Sequence, residues 1–253
     1  MIESYVEDDI AIVKLNNPPS NSINTQTLEQ LGQIVRSADS GASPKGLVIT
    51  GEGRFFSSGF DLPIFYGFED LDAAERFFDF EESVLLSLFT CRKPVVSAIN
   101  GHAAAAGLIY SMAADYRIVK EHPKIKIGMS EIKIGLPLTI AQHEVMRFGL
   151  DGNMRFRDVM FAGEMMDVYK AREMALVDEL VAEDALLDRA KQMVSACIDT
   201  PNRPFMRMKE LLRMDTARRI QQKLDKENWR EELNCFFKDE VRRTLKFVQE
   251  SMQ

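Results

Sequence analysis

The chain has 253 residues, 45% of them hydrophobic and 28% charged, the proportions of a globular protein rather than a disordered or fibrous one. A chain of this length can bury roughly 70–75% of its unfolded surface, enough for one full core. Lys and Arg number 32 against 39 Asp and Glu, a net charge of −7, which argues against a general nucleic-acid or membrane-surface binder.

Residues 10–15 are β-branched and partly alternating, which predicts a strand paired with residues 2–6 through a turn at Asp8-Asp9. Asn16-Asn-Pro-Pro-Ser-Asn21 is a cluster of turn formers. Thr25 is placed to cap a helix with Leu28, Leu31, Ile34 and Val35 on one face. Gly46-Leu-Val-Ile-Thr50 reads as a buried strand, followed by a loop over residues 51–61. A long amphipathic helix is expected over 71–89, a strand over 94–99 and a helix over 107–114. Further strands fall at 116–119 and 125–128. Strands alternating with helices imply an α/β fold with crossover connections. From Leu138 the pattern is mainly helical, and Pro201-Asn-Arg-Pro204 marks a break before a last helical segment over 205–251. The expected division is a core over residues 1–196 and a helical C-terminal region over 197–253.

Charge is unevenly spread. From Pro201 onward 13 basic residues face 9 acidic ones, +4, whereas residues 1–200 carry 19 against 30, −11. The tail therefore suits an anionic contact or the acidic body of a neighbouring subunit. Cys91, Cys197 and Cys235 are odd in number and far apart, which fits a reducing compartment rather than a disulfide framework or metal cluster. The N-terminus is acidic from Glu3, unlike a signal or transit peptide. The most apolar stretch, residues 94–114, is interrupted by Asn100 and His102 and reads as a buried strand and helix, not a membrane span. A soluble, cytoplasmic protein is expected.

Familiar motifs fail one by one. Gly51-Glu-Gly-Arg-Phe-Phe56 lacks the third glycine of a dinucleotide loop. Neither Ser57 nor Ser58 sits in a nucleophile elbow. His143-Glu144 lacks the second histidine of a zinc-binding helix, and with only His102 and His122 besides, no metal site is expected.

Three segments carry more. They are Arg54-Phe-Phe-Ser-Ser-Gly-Phe-Asp-Leu62, residues 97–115 with their Ala103-Ala-Ala-Ala-Gly107 run, and Ile127-Gly-Met-Ser-Glu-Ile-Lys-Ile-Gly-Leu-Pro137. With the opening Asn17-Pro-Pro-Ser-Asn-Ser22 and the closing Phe237-Lys-Asp-Glu-Val241, their order and spacing resemble the crotonase, or enoyl-CoA hydratase/isomerase, superfamily over essentially the whole chain. The resemblance implies an α/β spiral of ββα units with a helical C-terminal region that mediates trimerisation, giving a homotrimer or dimer of trimers. It also implies an acyl-CoA thioester substrate whose enolate is held by two backbone N–H groups, with CoA arriving as part of the substrate and no separate cofactor. Fixed donors aimed at a developing oxyanion lower the barrier to removing the proton beside a thioester. Carried over by position, the donors are the N–H groups of Phe60, between Gly59 and Asp61, and of Ala106, before Gly107. The family's usual Gly-Gly is Ala105-Ala106 here, and a backbone needing positive φ at that point would be strained by a Cβ.

The carboxylates separate the subclasses. Hydratases of this family use two glutamates. The first position falls on Ile109, while the second is present as Glu131. Adding water requires it to be held and activated while the α-carbon is protonated, whereas moving a double bond needs one base to carry a proton between C2 and C4. The layout is most similar to the single-glutamate Δ3,Δ2-enoyl-CoA isomerases. A dienoyl-CoA isomerase would need aspartates where Ile109 and Thr139 stand. A hydratase, another enolate-type acyl-CoA enzyme, or a catalytically silent acyl-CoA-binding homologue remain the alternatives. The resemblance places Ser22 and Ile23 on the adenine-side loop, Arg54 near the phosphates, and Ser58, Gly59 and Asp61 along the same loop. Leu62 and the apolar run to Phe68, with Phe77-Phe78, are expected to wall the acyl pocket. Lys238 and Lys246 are candidates for a phosphate on a neighbouring subunit. The tail residues Leu211, Leu212, Phe236, Phe237, Leu245, Phe247 and Val248 are expected to need another subunit to cover them.

Overall fold

β1 (Ile2–Glu7) and β2 (Ile10–Leu15) form the expected antiparallel hairpin, with Ile2 opposite Leu15 and Glu7 opposite Ile10. α1 (Thr25–Ser40) follows, but its cap is Asn24 rather than Thr25. The Asn24 side chain accepts the Thr27 N–H at 2.9 Å, which leaves Thr25 as the first helical residue. β3 (Gly46–Gly51) is buried throughout, as a continuous apolar run in a parallel sheet should be. The expected loop over 51–61 contains a further strand, β4 (Phe55–Ser57). α2 (Leu62–Tyr66) and the long α3 (Leu71–Thr90) come next. The computed structural model describes residues 1–226 and 228–251.

The chain then repeats one pattern. β5 (Val95–Ile99) leads into β6 (His102–Ala104) and α4 (Ala106–Met112). β7 (Tyr116–Lys120) leads into β8 (Ile127–Gly128), α5 (Glu131–Ile134) and α6 (Ile140–Gly149). After α7 (Asn153–Met160) come β9 (Met165–Met166), α8 (Val168–Glu173), β10 (Glu179–Val181) and α9 (Leu186–Ile198). Each turn gives one strand to each of two sheets. The larger sheet has the order β1-β2-β3-β5-β7-β10, and the smaller β4-β6-β8-β9. Within the larger sheet every pairing beyond the β1–β2 hairpin is parallel. In the smaller one β4, β6 and β8 are parallel neighbours, and β9 closes the edge antiparallel. This is a spiral of ββα turns.

The last segment is helical but not one helix. α10 (Pro204–Lys226), a 3₁₀ stretch over Trp229–Phe237 and α11 (Asp239–Ser251) follow the break at Pro201, with Pro204 at the start of α10, where its missing N–H costs nothing. α10 is clamped to its own core. Lys209 Nζ donates to the Lys93 carbonyl at 2.8 Å and to Asp115 at 2.6 Å. Arg213, 4% exposed, donates to the carbonyls of Phe89, Ala113 and Ala114 at 2.6–2.8 Å and pairs with Asp115. These carbonyls lie at or just beyond the C-terminal ends of α3 and α4, which otherwise lack partners. Phe236 and Leu245 are buried within the chain's own core, so they do not need the second subunit expected for them. Leu211, Leu212 and Phe247 remain exposed.

Candidate active site

β4, β6 and β8 run parallel side by side, so the residues just beyond their C-terminal ends must gather in one place. The segments that follow are Ser58–Asp61, Ala105–Ala106 and Met129–Glu131. They meet at a cavity of about 710 Å³ lined by Ser22, Ser58, Phe60, Asp61, Leu62, Ala105, Ala106, Ile109 and Glu131, among others.

Several backbone amides at this junction are pinned by hydrogen bonds. Ile23 forms a parallel bridge with Phe60: its N–H donates to Gly59 O at 2.8 Å, and its carbonyl accepts from Asp61 N–H at 2.9 Å. Gly59 N–H donates to Ser57 Oγ at 3.2 Å, and Ala105 N–H to Gly128 O at 3.1 Å. The N–H groups of Phe60 and Ala106, which directly follow Gly59 and Ala105, have no acceptor among the described residues. The two loops are in close contact. A Cβ on Gly59, whose φ is +100°, would lie 2.7 Å from Ala105 Cβ and 3.2 Å from Ala106 N, so only glycine fits there. Ala105 takes the conformation that a glycine would normally supply, φ 54° and ψ −132°. The alanine substitution leaves the turn intact, at the cost of local strain.

Glu131 opens α5 and lines the same cavity. Its Oε2 accepts the Ser130 N–H at 2.8 Å, which fixes the carboxyl at the helix start. Burial pushes its pKa up to about 7, against the smaller opposing pull of the Glu131 and Ser130 backbone amides. Ile109, on α4, is 1% exposed and turns its branched chain toward the cavity. Asp61 is the other carboxylate of the lining. It is the residue before α2 and accepts from Ser22 Oγ at 3.5 Å, so it ties two loops together.

Three residues of the expected loops stay behind the lining. Ile23 is buried, outside the lining, and acts by holding the Phe60 loop. Gly107 also stays behind the wall. A Cβ there would lie 2.5 Å from Ser57 O, so this glycine lets α4 pack against β4. Gly59 shapes the junction without lining it. Arg54 is exposed and lines a separate basic cleft with Lys120, His122 and Lys124. His102 borders both spaces, its ring tilted against Phe55 with ring centres 5.0 Å apart. Of the expected acyl wall, Phe65 and Phe78 reach the cavity, while Phe77 packs behind Phe60.

Some of the lining was not legible in the sequence. Gln142 on α6 reaches it from behind, with its amide accepting from Thr139 N–H at 3.2 Å and donating to Glu81 at 3.1 Å. Tyr110 OH also donates to Glu81, at 3.2 Å, and burial holds that carboxyl well above its usual range. Phe236 and Val248 reach the cavity from the C-terminal region. Among the described residues no group of three or more His, Cys, Asp or Glu could hold a metal ion.

A family model described as enoyl-CoA hydratase/isomerase matches residues 6–251. The chain belongs to the enoyl-CoA hydratase/isomerase family. It is 26% identical over its whole length to the mitochondrial enoyl-CoA delta isomerase 1 of Mus musculus, covering 87% of that protein. It is 25% identical to a probable enoyl-CoA hydratase of Bacillus subtilis, with 83% of this chain and 81% of that protein aligned. The crystal structure of human mitochondrial Δ3,Δ2-enoyl-CoA isomerase superposes with a TM-score of 0.91 at 22% identity, over 99% of this chain and 97% of that one. The enoyl-CoA hydratase structure from Bacillus halodurans gives 0.85 at 19%, over 97% and 99%. These likenesses establish the crotonase fold, and the relatives include both isomerases and hydratases. No helix among the described residues is long and apolar enough to cross a membrane.

The strained alanine yields a direct test of the junction. Ala105→Gly should stabilise the protein by about 1 kcal/mol, the balance of relieved strain against the greater freedom of an unfolded glycine. Urea unfolding of the two proteins measures it, and an unchanged or lowered midpoint would contradict the strain.

Proposed function

We propose that this family member is an acyl-CoA isomerase that shifts a 3-enoyl thioester to the 2-enoyl isomer. The observation that carries the reading is the composition of the junction. The unengaged N–H groups of Phe60 and Ala106 share a cavity with the buried Glu131 carboxyl, and the position of a second glutamate is filled by Ile109.

In this scheme the thioester oxygen accepts from the Phe60 and Ala106 N–H groups. The Glu131 carboxylate takes a proton from C2, and the electron pair delocalises over the dienolate onto the thioester oxygen. The same carboxyl then delivers the proton to C4, leaving the double bond between C2 and C3. Each N–H aimed at the oxyanion contributes about 3 kcal/mol to the barrier reduction. A carboxyl with its pKa near 7 suits both halves of the transfer, because it accepts and releases a proton at similar cost. Ile109 offers an attacking water no hydrogen bond. The acyl chain runs along Leu62, Phe65 and Phe78, and the nucleotide phosphates meet Arg54 and Lys124 in the basic cleft beyond His102. The reaction uses no separate cofactor.

Glu131→Gln should lower kcat/KM for isomerisation by at least about 100-fold. In the wild type the base must be ionised, so kcat/KM should rise as pH increases through about 7 and level off above it. A variant with near-normal turnover, or a wild-type profile already flat down to pH ~5, would remove Glu131 as the base.

The assembly proposed is a homotrimer or a dimer of trimers. Met208, Leu211 and Leu212 form an exposed apolar stripe at helical spacing on α10, 65%, 49% and 67% exposed. A stripe of this kind on a helix already clamped to its core is suited to meet another copy. Light scattering should give a multiple of three chains, and Leu212→Asp should shift the population to smaller species. A stable wild-type monomer at micromolar concentration would contradict the assembly.

A further inference from the structure

The apolar end of the main cavity is closed by aromatic rings. Phe78 from α3 and Phe236 from the 3₁₀ stretch lie nearly parallel, with ring centres 5.3 Å apart and planes at 21°. Phe65 packs against Phe236 at 4.8 Å. On the far side lies a second cavity of about 320 Å³, where Leu138, Ile140, Trp229 and Leu233 supply apolar wall and Thr139, Asn228 and Glu232 a polar side. Phe78, Pro137 and Phe236 line both spaces. The partition is therefore a single layer of side chains. One of its rings is carried by a 3₁₀ segment nine residues long. Such a run has poorer hydrogen bonds than an α-helix and is uncommon beyond three or four residues.

The geometry points to Phe78 and Phe236 as the residues that set acyl-chain length, with the second cavity as the space a longer tail enters once the partition is breached. This inference rests on the acyl-CoA reading above and adds the substrate class. The protein takes straight enoyl chains that end against the two rings, and it discriminates against longer homologues. Chains short of the rings gain roughly fourfold in binding for each methylene buried. Beyond them, each added methylene has to displace a packed ring, which a close-packed wall resists. The residues that choose the chain lie partly in the C-terminal region, far in sequence from the site of chemistry.

The test is kcat/KM for a homologous series of straight 3-enoyl-CoA esters, with wild type, Phe236→Ala and Phe236→Leu. Wild type should rise with length and then drop. In Phe236→Ala the ratio of the longest to the shortest ester should increase at least about tenfold, within the range one pocket methylene commands. Phe236→Leu keeps apolar bulk in case the alanine variant fails to fold, and should move the drop in the same direction. Adding Leu138→Trp to either variant fills the second cavity and should cancel the gain. Calorimetry with saturated acyl-CoA esters reads the same length dependence without turnover. If no 3-enoyl ester is isomerised but saturated-ester affinity shows these shifts, the isomerase reading fails and the partition stands. If esters are turned over and the length profiles of the Phe236 variants match wild type, the partition is overturned. A gain that survives Leu138→Trp overturns the second cavity as the tail's destination.

Discussion

The parallel pairing of three very short strands is the constraint on which the rest depends. β4, β6 and β8 contribute few residues each, with Phe55 opposite His102, Ala103 opposite Ile127 and Ala104 opposite Gly128. Because they run in the same direction, the residues after each strand emerge together, and Phe60, Ala106 and Glu131 are thereby delivered to one cavity from three distant parts of the chain. Short strands cannot hold such a register alone. It is fixed by close backbone approach, with Gly107 against Ser57 and Gly59 against Ala105, and by Ile23, which bridges to Phe60 from outside the small sheet. The Phe60 and Ala106 N–H groups are left without acceptors while the amides of Gly59, Asp61 and Ala105 beside them are engaged.

A second consequence concerns the C-terminal region. α10 is held by buried cations that satisfy main-chain carbonyls at or just beyond the ends of α3 and α4, with Asp115 balancing Lys209 and Arg213. Removing one partner of such a group leaves an uncompensated buried charge. With α10 clamped, the following segment brings Phe236 and Val248 to the cavity. The tail thus contributes to the cavity wall, and the expectation that its apolar residues wait for another subunit undercounted what its own core buries.

Much of the site was legible because its residues sit in contiguous motifs. Phe60, Ala106, Ile109 and Glu131 all line one space, and the strain foreseen for a Cβ in the alanine pair resides at Ala105, with φ 54°. The difficulties came from interactions that sequence pattern does not encode. β4 and β8 are too short to show a period of two, so β4 reads as loop and β8 as longer than it is. Asn24 and Thr25 are both good caps, and only the bond to Thr27 chooses between them. Gln142 and Phe236 carry no motif and reach the cavity through the packing of α6 and the 3₁₀ stretch on α3.

The chemistry proposed turns on a single carboxyl working opposite an aliphatic wall. The most direct measurement is the ratio of 2-enoyl hydration to 3-enoyl isomerisation on one chain length, in wild type and in Ile109→Glu. Wild type should isomerise far faster than it hydrates, and the added carboxyl should raise the ratio. The gain is limited because a buried glutamate without prepared partners shifts its pKa upward and stays neutral. A wild type that hydrates as fast as it isomerises would contradict the single-glutamate account, whatever the variant does.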